Sequence, residues 1–239
     1  MASQLGADLV ITAADLTSNT ALQQHNLGER ATTGDGRYFR YAKAGGVTLV
    51  PGTLQQAPVE VTNHQGLTPA AAAIGATSVT VTLGATAATA NQYSGGWLMV
   101  TITPGQGYQY KILSHPAADA SASLILTLSD PIVVALTTSS RVDLVLNPYS
   151  GVIINPTTAT SAPVGVAVTA ITNAQYGWIQ VAGVACILSD GGSTVGTNVS
   201  ASNATAGAVE AAVTAQAAIG VAVTGVATTD YGAFKLNID

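Results

Sequence analysis

VGVAVTAITNAQYGWIQV, residues 164–181, returns as IGVAVTGVATTDYGAFKL at residues 219–236, with seven of eighteen residues identical at a constant offset of 55 (Gly165 onto Gly220). Each copy starts with a short apolar run opening on glycine. It continues through a polar connection and ends in a second run that opens with Tyr-Gly. Two runs of β-branched and aromatic residues joined by turn-forming residues are the signature of a β-hairpin, so the C-terminal third reads as one hairpin used twice. The shared residues include no acid, base, thiol or metal ligand. The repeat therefore predicts architecture without chemistry.

The rest of the composition agrees with extended chain. Charged residues make up 8% of the 239 residues and apolar residues 48%, against roughly 25% charge in an ordinary soluble domain. Ala, Thr, Val, Gly and Ser take the place of the missing charges, and β-branched side chains favour the pleated sheet. The fold class is accordingly all-β. A surface so poor in charge predicts that much of it is covered by copies of the chain or by a partner. The net charge of −5 argues against nucleic acid as a partner along the whole chain. No apolar run reaches the 18 residues that a membrane-crossing helix needs, and MASQLGADLVITAADL lacks the basic-then-apolar order of a secretory signal. Cys186, the one cysteine, has no pairing partner and reads as a small buried hydrophobe in VAGVACIL.

Three regions follow from local pattern. Residues 1–57 hold four of the seven basic side chains, Arg30, Arg37, Arg40 and Lys43, and are expected to form an extended basic arm. Within it, a strand over Arg37–Lys43 carries large groups on both faces. That fits an arm laid across a neighbouring subunit or an edge strand guarded by arginines. Gln55, Gln56 and Pro58 read as its exit. Residues 58–150 contain five strand patterns at regular spacing, Ser78–Leu83, Trp97–Ile102, Tyr108–Leu113, Leu124–Leu128 and Arg141–Leu146, which predict a small barrel or sandwich. Ala70–Ala76 and Ala85–Ala90 fit short helical turns. Residues 151–239 carry the repeated hairpin behind a proline-punctuated connector, with the two copies separated by a loop over Gly191–Gly207 and a possible helical turn at Ala206–Ala217.

A search for chemistry returns little. His25, His64 and His115 lie at no metal-ligand spacing and read as exposed loop histidines. Gly105-Gln106-Gly107 falls between two strands and lacks the Lys-Ser/Thr of a phosphate loop, so it is a hairpin turn. Asp119, Asp130 and Asp143 sit at turns of different strands, with nothing to bring two of them together as an acid and base. No cofactor site is legible. Arginines interleaved with Tyr38, Phe39 and Tyr41 suit a nucleic-acid stacking platform, an acidic protein partner, or carboxylates within the fold, the protein partner being favoured.

Three stretches, LGERATTGDGRYFRYAKAGGVTLVPGTLQQAP (27–58), GGWLMVTITPGQGYQYKILSHPAADASASLILTLSDPIVVAL (95–136) and QYGWIQVAGVACIL (175–188), resemble structural proteins of tailed bacteriophages. The resemblance implies a non-enzymatic virion protein on the outer surface of the capsid. By analogy this is a cement or decoration protein, a homotrimer that bridges capsomers and binds the major capsid protein. Arg30, Arg37, Tyr38, Arg40 and Lys43 are then the expected capsid contacts. The alternatives are a head-fibre, tail-fibre or baseplate component that presents Trp97, Tyr108, Tyr110 and Trp178 to the host, and a virion-associated hydrolase.

Overall fold

The repeated sequence folds as a repeated structure. The computed structural model describes residues 8–213 and 216–239, so residues 1–7 of the expected arm and 214–215 lie outside it. In chain order the strands are β1 (Leu9–Val10), β2 (Arg30–Thr32), β3 (Tyr38–Ala44), β4 (Leu54–Gln56), β5 (Thr68–Pro69), β6 (Ser78–Thr82), β7 (Trp97–Ile102), β8 (Gln109–Ser114), β9 (Ser123–Leu128), β10 (Arg141–Val145), β11 (Ser150–Ile154), β12 (Pro163–Ala167), β13 (Tyr176–Ser193), β14 (Asn198–Ala201), β15 (Val209–Ala211), β16 (Gly220–Ala222) and β17 (Val226–Asn237). One α-helix, α1 (Ala13–Thr17), is present among the described residues. No described helix is long and apolar enough to cross a membrane. The protein is all-β.

In the first hairpin Val166 lies opposite Gln180 and Ala167 opposite Ile179. In the second, Val221 lies opposite Lys235 and Ala222 opposite Phe234, the same pairs displaced by 55 residues. The correspondence extends to the neighbouring strands. β3, β11, β4, β12 and the N-terminal half of β13 close into a five-stranded ring. The C-terminal half of β13 with β15, β14, β16 and β17 closes into another. The two rings share one pattern of directions: the first two strands pair parallel (β3 with β11, β13 with β15) and every other contact is antiparallel. A Gly-Thr turn also recurs. Gly52 N–H donates to Ala167 O at 2.7 Å and Gly196 N–H to Ala222 O at 2.9 Å. The hydroxyls of Thr53 and Thr197 each donate back three residues, to Val50 O and Thr194 O, at 2.6 Å. Both glycines have positive φ, +71° and +81°, where an L side chain is strained.

The 18-residue strand β13 is thus the last strand of one barrel and the first of the next. Alternation along it turns Ile179 into the first barrel and Ala185 and Ile187 into the second. The first barrel is filled by Ala42, Ala44, Val152, Ala167, Ile171 and Ile179. The second is filled by Ala185, Ile187, Val199, Val209, Ala222 and Phe234.

Residues 60–147 form a separate compact unit, while 1–59 and 148–239 together form the other. The sequence reading separates an arm (1–57) from a C-terminal module (151–239), but the fold joins them, because β3 and β4 are two of the five strands of the first barrel. The insertion occupies the connection between β4 and β11. In the second barrel the equivalent connection, between β14 and β15, is residues 202–208 alone. Replacing residues 60–147 by a loop of that length is expected to leave the double barrel folded, checked by far-UV circular dichroism and a retained cooperative melt.

The inserted unit holds the five strands predicted from spacing, as β6 to β10, and a short sixth, β5. Their order is β10-β7-β8-β9-β6-β5. Leu67 and Val142 exchange backbone hydrogen bonds of 2.8 and 3.0 Å, which bring the two ends of this sheet together. β9 shows the period of two directly: Leu124, Leu126 and Leu128 are buried, while Ser123, Ile125 and Thr127 are exposed. The alanine-rich stretches form single bridges beside short turns rather than helical turns. Ala72 pairs with Leu136 and Ala88 with Ala118, each through two reciprocal hydrogen bonds of 2.8–3.0 Å. An isolated helical turn fixes several residues for one hydrogen bond, so an adjacent strand edge wins. Ala206–Ala211 is likewise not helical and ends in β15.

Candidate interaction surface

β3, expected at an edge or on a neighbouring subunit, is paired on both sides within its own chain, with β13 on one and with β2 and β11 on the other. Alternation along the strand splits the expected contact residues between its faces. Tyr38 and Arg40 share one side. Across β2, Arg30 lies opposite Arg40. The Arg40 guanidinium binds both carboxylate oxygens of Asp239 (Nε–Oδ2 2.9 Å, Nη2–Oδ1 2.8 Å) and donates through Nη1 to Gly28 O at 2.8 Å. Arg30 stacks 4.2 Å over the Tyr38 ring and stands 3.7 and 3.9 Å from Asp8 and Asp239. On the other side Arg37 binds Asp35 through Nε and Nη2 at 2.9 and 2.8 Å, and Lys43 lies 5.5 Å from the Tyr176 ring. The Arg37 hydrogen bond, assisted by the Thr33 hydroxyl, holds the Asp35 carboxyl well below the usual carboxylate range. The three arginines therefore already have carboxylate partners within the fold.

The β3 face that carries Phe39 and Tyr41 is roofed by the N-terminal segment. Phe39, Tyr41 and Trp178 are buried together with Ile11, Leu16 and Ala31. His25 packs on Tyr41 and Trp178 at 5.1 Å, and the Tyr41 hydroxyl meets Thr20 Oγ1 and accepts from Gln24 N–H, both at 3.2 Å. A capping box between Thr12 and Asp15 starts α1 within this roof. Gln55 and Gln56, expected at the exit of the arm, are fully buried in β4. Gln55 Nε2 is satisfied by Thr53 O and Oγ1 (2.8 and 2.7 Å), and Gln56 Nε2 by Thr160 Oγ1 (2.7 Å).

The two barrels together offer a different surface. A cleft of about 610 Å³ is lined by Val184, Cys186 and Tyr231 of the second barrel and by Gly52, Ala167 and Gln180 on the side of the first, with Arg37 also in its lining. Cys186 is exposed in it, not buried as its apolar neighbours suggest, because the alternation of β13 turns Ala185 and Ile187 inward. Gly52 lies so near Tyr231 that a Cβ there would meet the ring at 2.6 Å. The repeat contained the signal for this cleft: Tyr231 is the counterpart of Tyr176, displaced by 55 residues.

No protein-family model, curated protein or solved structure matches the chain.

Within the inserted unit, His64 and His115 are not loop surface residues. They are 0% and 4% exposed and flank the buried Tyr93. His64 Nε2–H donates to Thr86 O at 2.8 Å, which leaves Nδ1 to accept from the Tyr93 hydroxyl. Tyr93 N–H donates to His115 Nε2 at 3.0 Å, and His115 Nδ1–H donates to Pro116 O at 2.8 Å. His115, accepting at Nε2 and donating at Nδ1, is neutral in this network, which pins the β6–β7 connection to the one after β8. Burial, the leading cause, lowers the His115 pKa below its ordinary 6.5, with His64 nearby acting in the same direction. A depressed histidine stabilises the fold above its unfolded pKa, and that contribution is lost as pH falls through the lower folded value. The melting temperature of residues 60–147 is expected to drop as pH falls from 7 to 5. His115→Gln should flatten that slope, and a titration of thermal melts checks it.

Among the described residues no group of three or more His, Cys, Asp or Glu is placed to hold a metal. Asp143 accepts from Gly66 N–H at 2.7 Å, a turn contact. Gly105 and Gly107, both at positive φ, form the β7–β8 turn expected from sequence. Of the four aromatics named for a host-facing platform, Tyr110 and Trp178 are 3% exposed; Trp97 is half-buried and Tyr108 is exposed.

Proposed function

We propose that this chain is a non-enzymatic structural protein of a tailed-phage virion, bound to the outside of the capsid as a cement or decoration protein and assembled with itself, as a trimer, over the major capsid protein. The observation that carries this reading is the surface. Large apolar side chains stand exposed on both units, among them Leu22, Val10, Val184 and Tyr231 on the double barrel and Ile74, Ile102, Leu113 and Ile125 on the inserted unit, in a chain with 8% charge. Such a surface suits broad, multivalent covering of a lattice. The three resembling stretches fall on β2 to β4, on β7 to β9 of the inserted unit and on Tyr176 to Leu188 of β13, the strand shared by both barrels.

The contact chemistry differs from that of a basic arm. Arg30, Arg37 and Arg40 have carboxylate partners, so capsid binding through apolar and backbone groups accounts better for the surface than attraction to an acidic shell does. Binding should then change little with ionic strength, since screened surface charges contribute little. The test is to quantify the chain against the major capsid protein in purified virions and to measure its binding to shells at low and high salt. A ratio near one with salt-tolerant binding supports the reading. A ratio of a few per cent favours a head-fibre, tail-fibre or baseplate component, for which exposed Trp97 and Tyr108 are the remaining aromatic contacts.

A further inference from the structure

We infer that the cleft lined by Val184, Cys186 and Tyr231 of the second barrel receives the outward side of the N-terminal segment of a second copy, Val10 and Leu22 being the side chains that dock. This rests on the reading that the chain assembles with itself, and it names the surfaces that do so.

The argument comes from the repeat. Tyr41 lies opposite Trp178, and displacement by 55 makes Cys186, opposite Ala233, its counterpart; Phe39 opposite Gln180 corresponds in the same way to Val184 opposite Lys235. In the first barrel this face is closed by Ile11 and Leu16 above, and its strand edge by β2. In the second barrel neither cover is present among the described residues. β13 is paired over 183–187 by β17 alone, with the Gln180 amide capping the Ala182 and Val184 carbonyls at 3.1 and 3.0 Å and the Leu188 N–H donating to Gly52 O at 2.8 Å. Val184 and Tyr231 are each 52% exposed. One face of a duplicated element is sealed by the chain and its counterpart is left open.

The same N-terminal segment supplies a matching surface. While Ile11 and Leu16 pack onto the Phe39 and Tyr41 face of the first barrel, Leu22 and Val10 are 75% and 74% exposed, more than any other large apolar side chain described. Residues 8–28 carry Asp8 and Asp15 with no Lys or Arg, and the one charged residue lining the cleft is Arg37. A protruding apolar, acidic segment and a recessed apolar cleft with a basic margin lie on different parts of one chain. Two recessed clefts cannot fill each other, so the contact is head-to-tail. Contacts of that kind close into rings when the rotation permits.

Sedimentation velocity on the full chain and two variants tests this. Val184→Asp spoils the cleft, and Val10→Asp with Leu22→Asp spoils the segment; all three positions are exposed, so the fold should survive, as circular dichroism checks. Wild type is expected as a closed oligomer, and each variant should self-associate at least about tenfold more weakly. Mixed together, the variants should form a 1:1 pair that grows no further, because each retains one intact half of the contact. Cys186 should be alkylated more slowly in wild type than in either variant. A monomeric wild type, variants that keep the wild-type mass, or a mixture that does not pair would overturn the inference. Shell binding by a wild-type chain that proves monomeric would show that the capsid role stands even though this contact does not.

Discussion

Deleting residues 1–45 is expected to abolish cooperative folding of the double barrel while residues 60–147 melt as before. The deletion removes β3, one of the five strands of the first barrel, with Phe39, Tyr41, Ala42 and Ala44, all at most 3% exposed. It also removes the roof residues Ile11, Leu16 and Ala31. Trp178 and Ile179 then lose their cover, and the N-terminal half of β13 loses its pairing with β3 from Tyr176 to Ala182. Losing one large buried side chain costs about 3–5 kcal/mol, and a domain has about 5–15 kcal/mol in total. Several such losses together exceed that reserve. Calorimetry of the truncated chain should show one transition where the full chain shows two. A double barrel that still melts cooperatively would mean that the segment is a detachable arm after all. Loss of capsid binding by this truncation would report loss of fold, not loss of a contact.

What the sequence disclosed, and what it hid, follows from strand length and from distance along the chain. β6 to β10 are five or six residues long, enough for alternation to register, and their predicted bounds lie within about two residues of the observed ones. The hairpin repeat was legible because Gly165 and Gly220, and Tyr176 and Tyr231, occupy equivalent positions in two copies of one barrel. β4, β14, β15 and β16 are three or four residues long, too short for periodicity to show. In β4 the residues Gln55 and Gln56 read as the exit of an arm, because the burial of two polar side chains and the Thr160 hydroxyl that receives the Gln56 amide, 104 residues away, are not evident from local pattern. The cations looked free for a similar reason: Asp239 is 199 residues from Arg40, and only the closed ring brings them together. Cys186 and the cleft around it needed the closed second ring, which turns Ala185 and Ile187 inward and Cys186 outward along a strand that reads as one apolar run.

Phe234→Ala is expected to lower the melting temperature of the double barrel by roughly 10 °C, from a cost of about 3–5 kcal/mol. Phe234 is 0% exposed, pairs with Ala185 and Ala222, and is the largest side chain in the second barrel's core. Its immediate partners are alanines, whose short side chains cannot move in to fill the void, so the cavity persists. Its counterpart 55 residues earlier is Ile179, opposite Arg40 and Ala167 in the first barrel and equally buried. Ile179→Ala should cost about 2–5 kcal/mol. Because β13 belongs to both rings, the two substitutions should move one and the same calorimetric transition and leave that of residues 60–147 in place. Separate transitions, one sensitive to each substitution, would show that the shared strand does not couple the barrels. A single transition would mean that a capsid contact made on either barrel stabilises both, since a ligand that binds only the folded state stabilises every part that unfolds with its site. For a protein whose proposed work is to hold a lattice together, that coupling lets contacts made at one barrel reinforce the other.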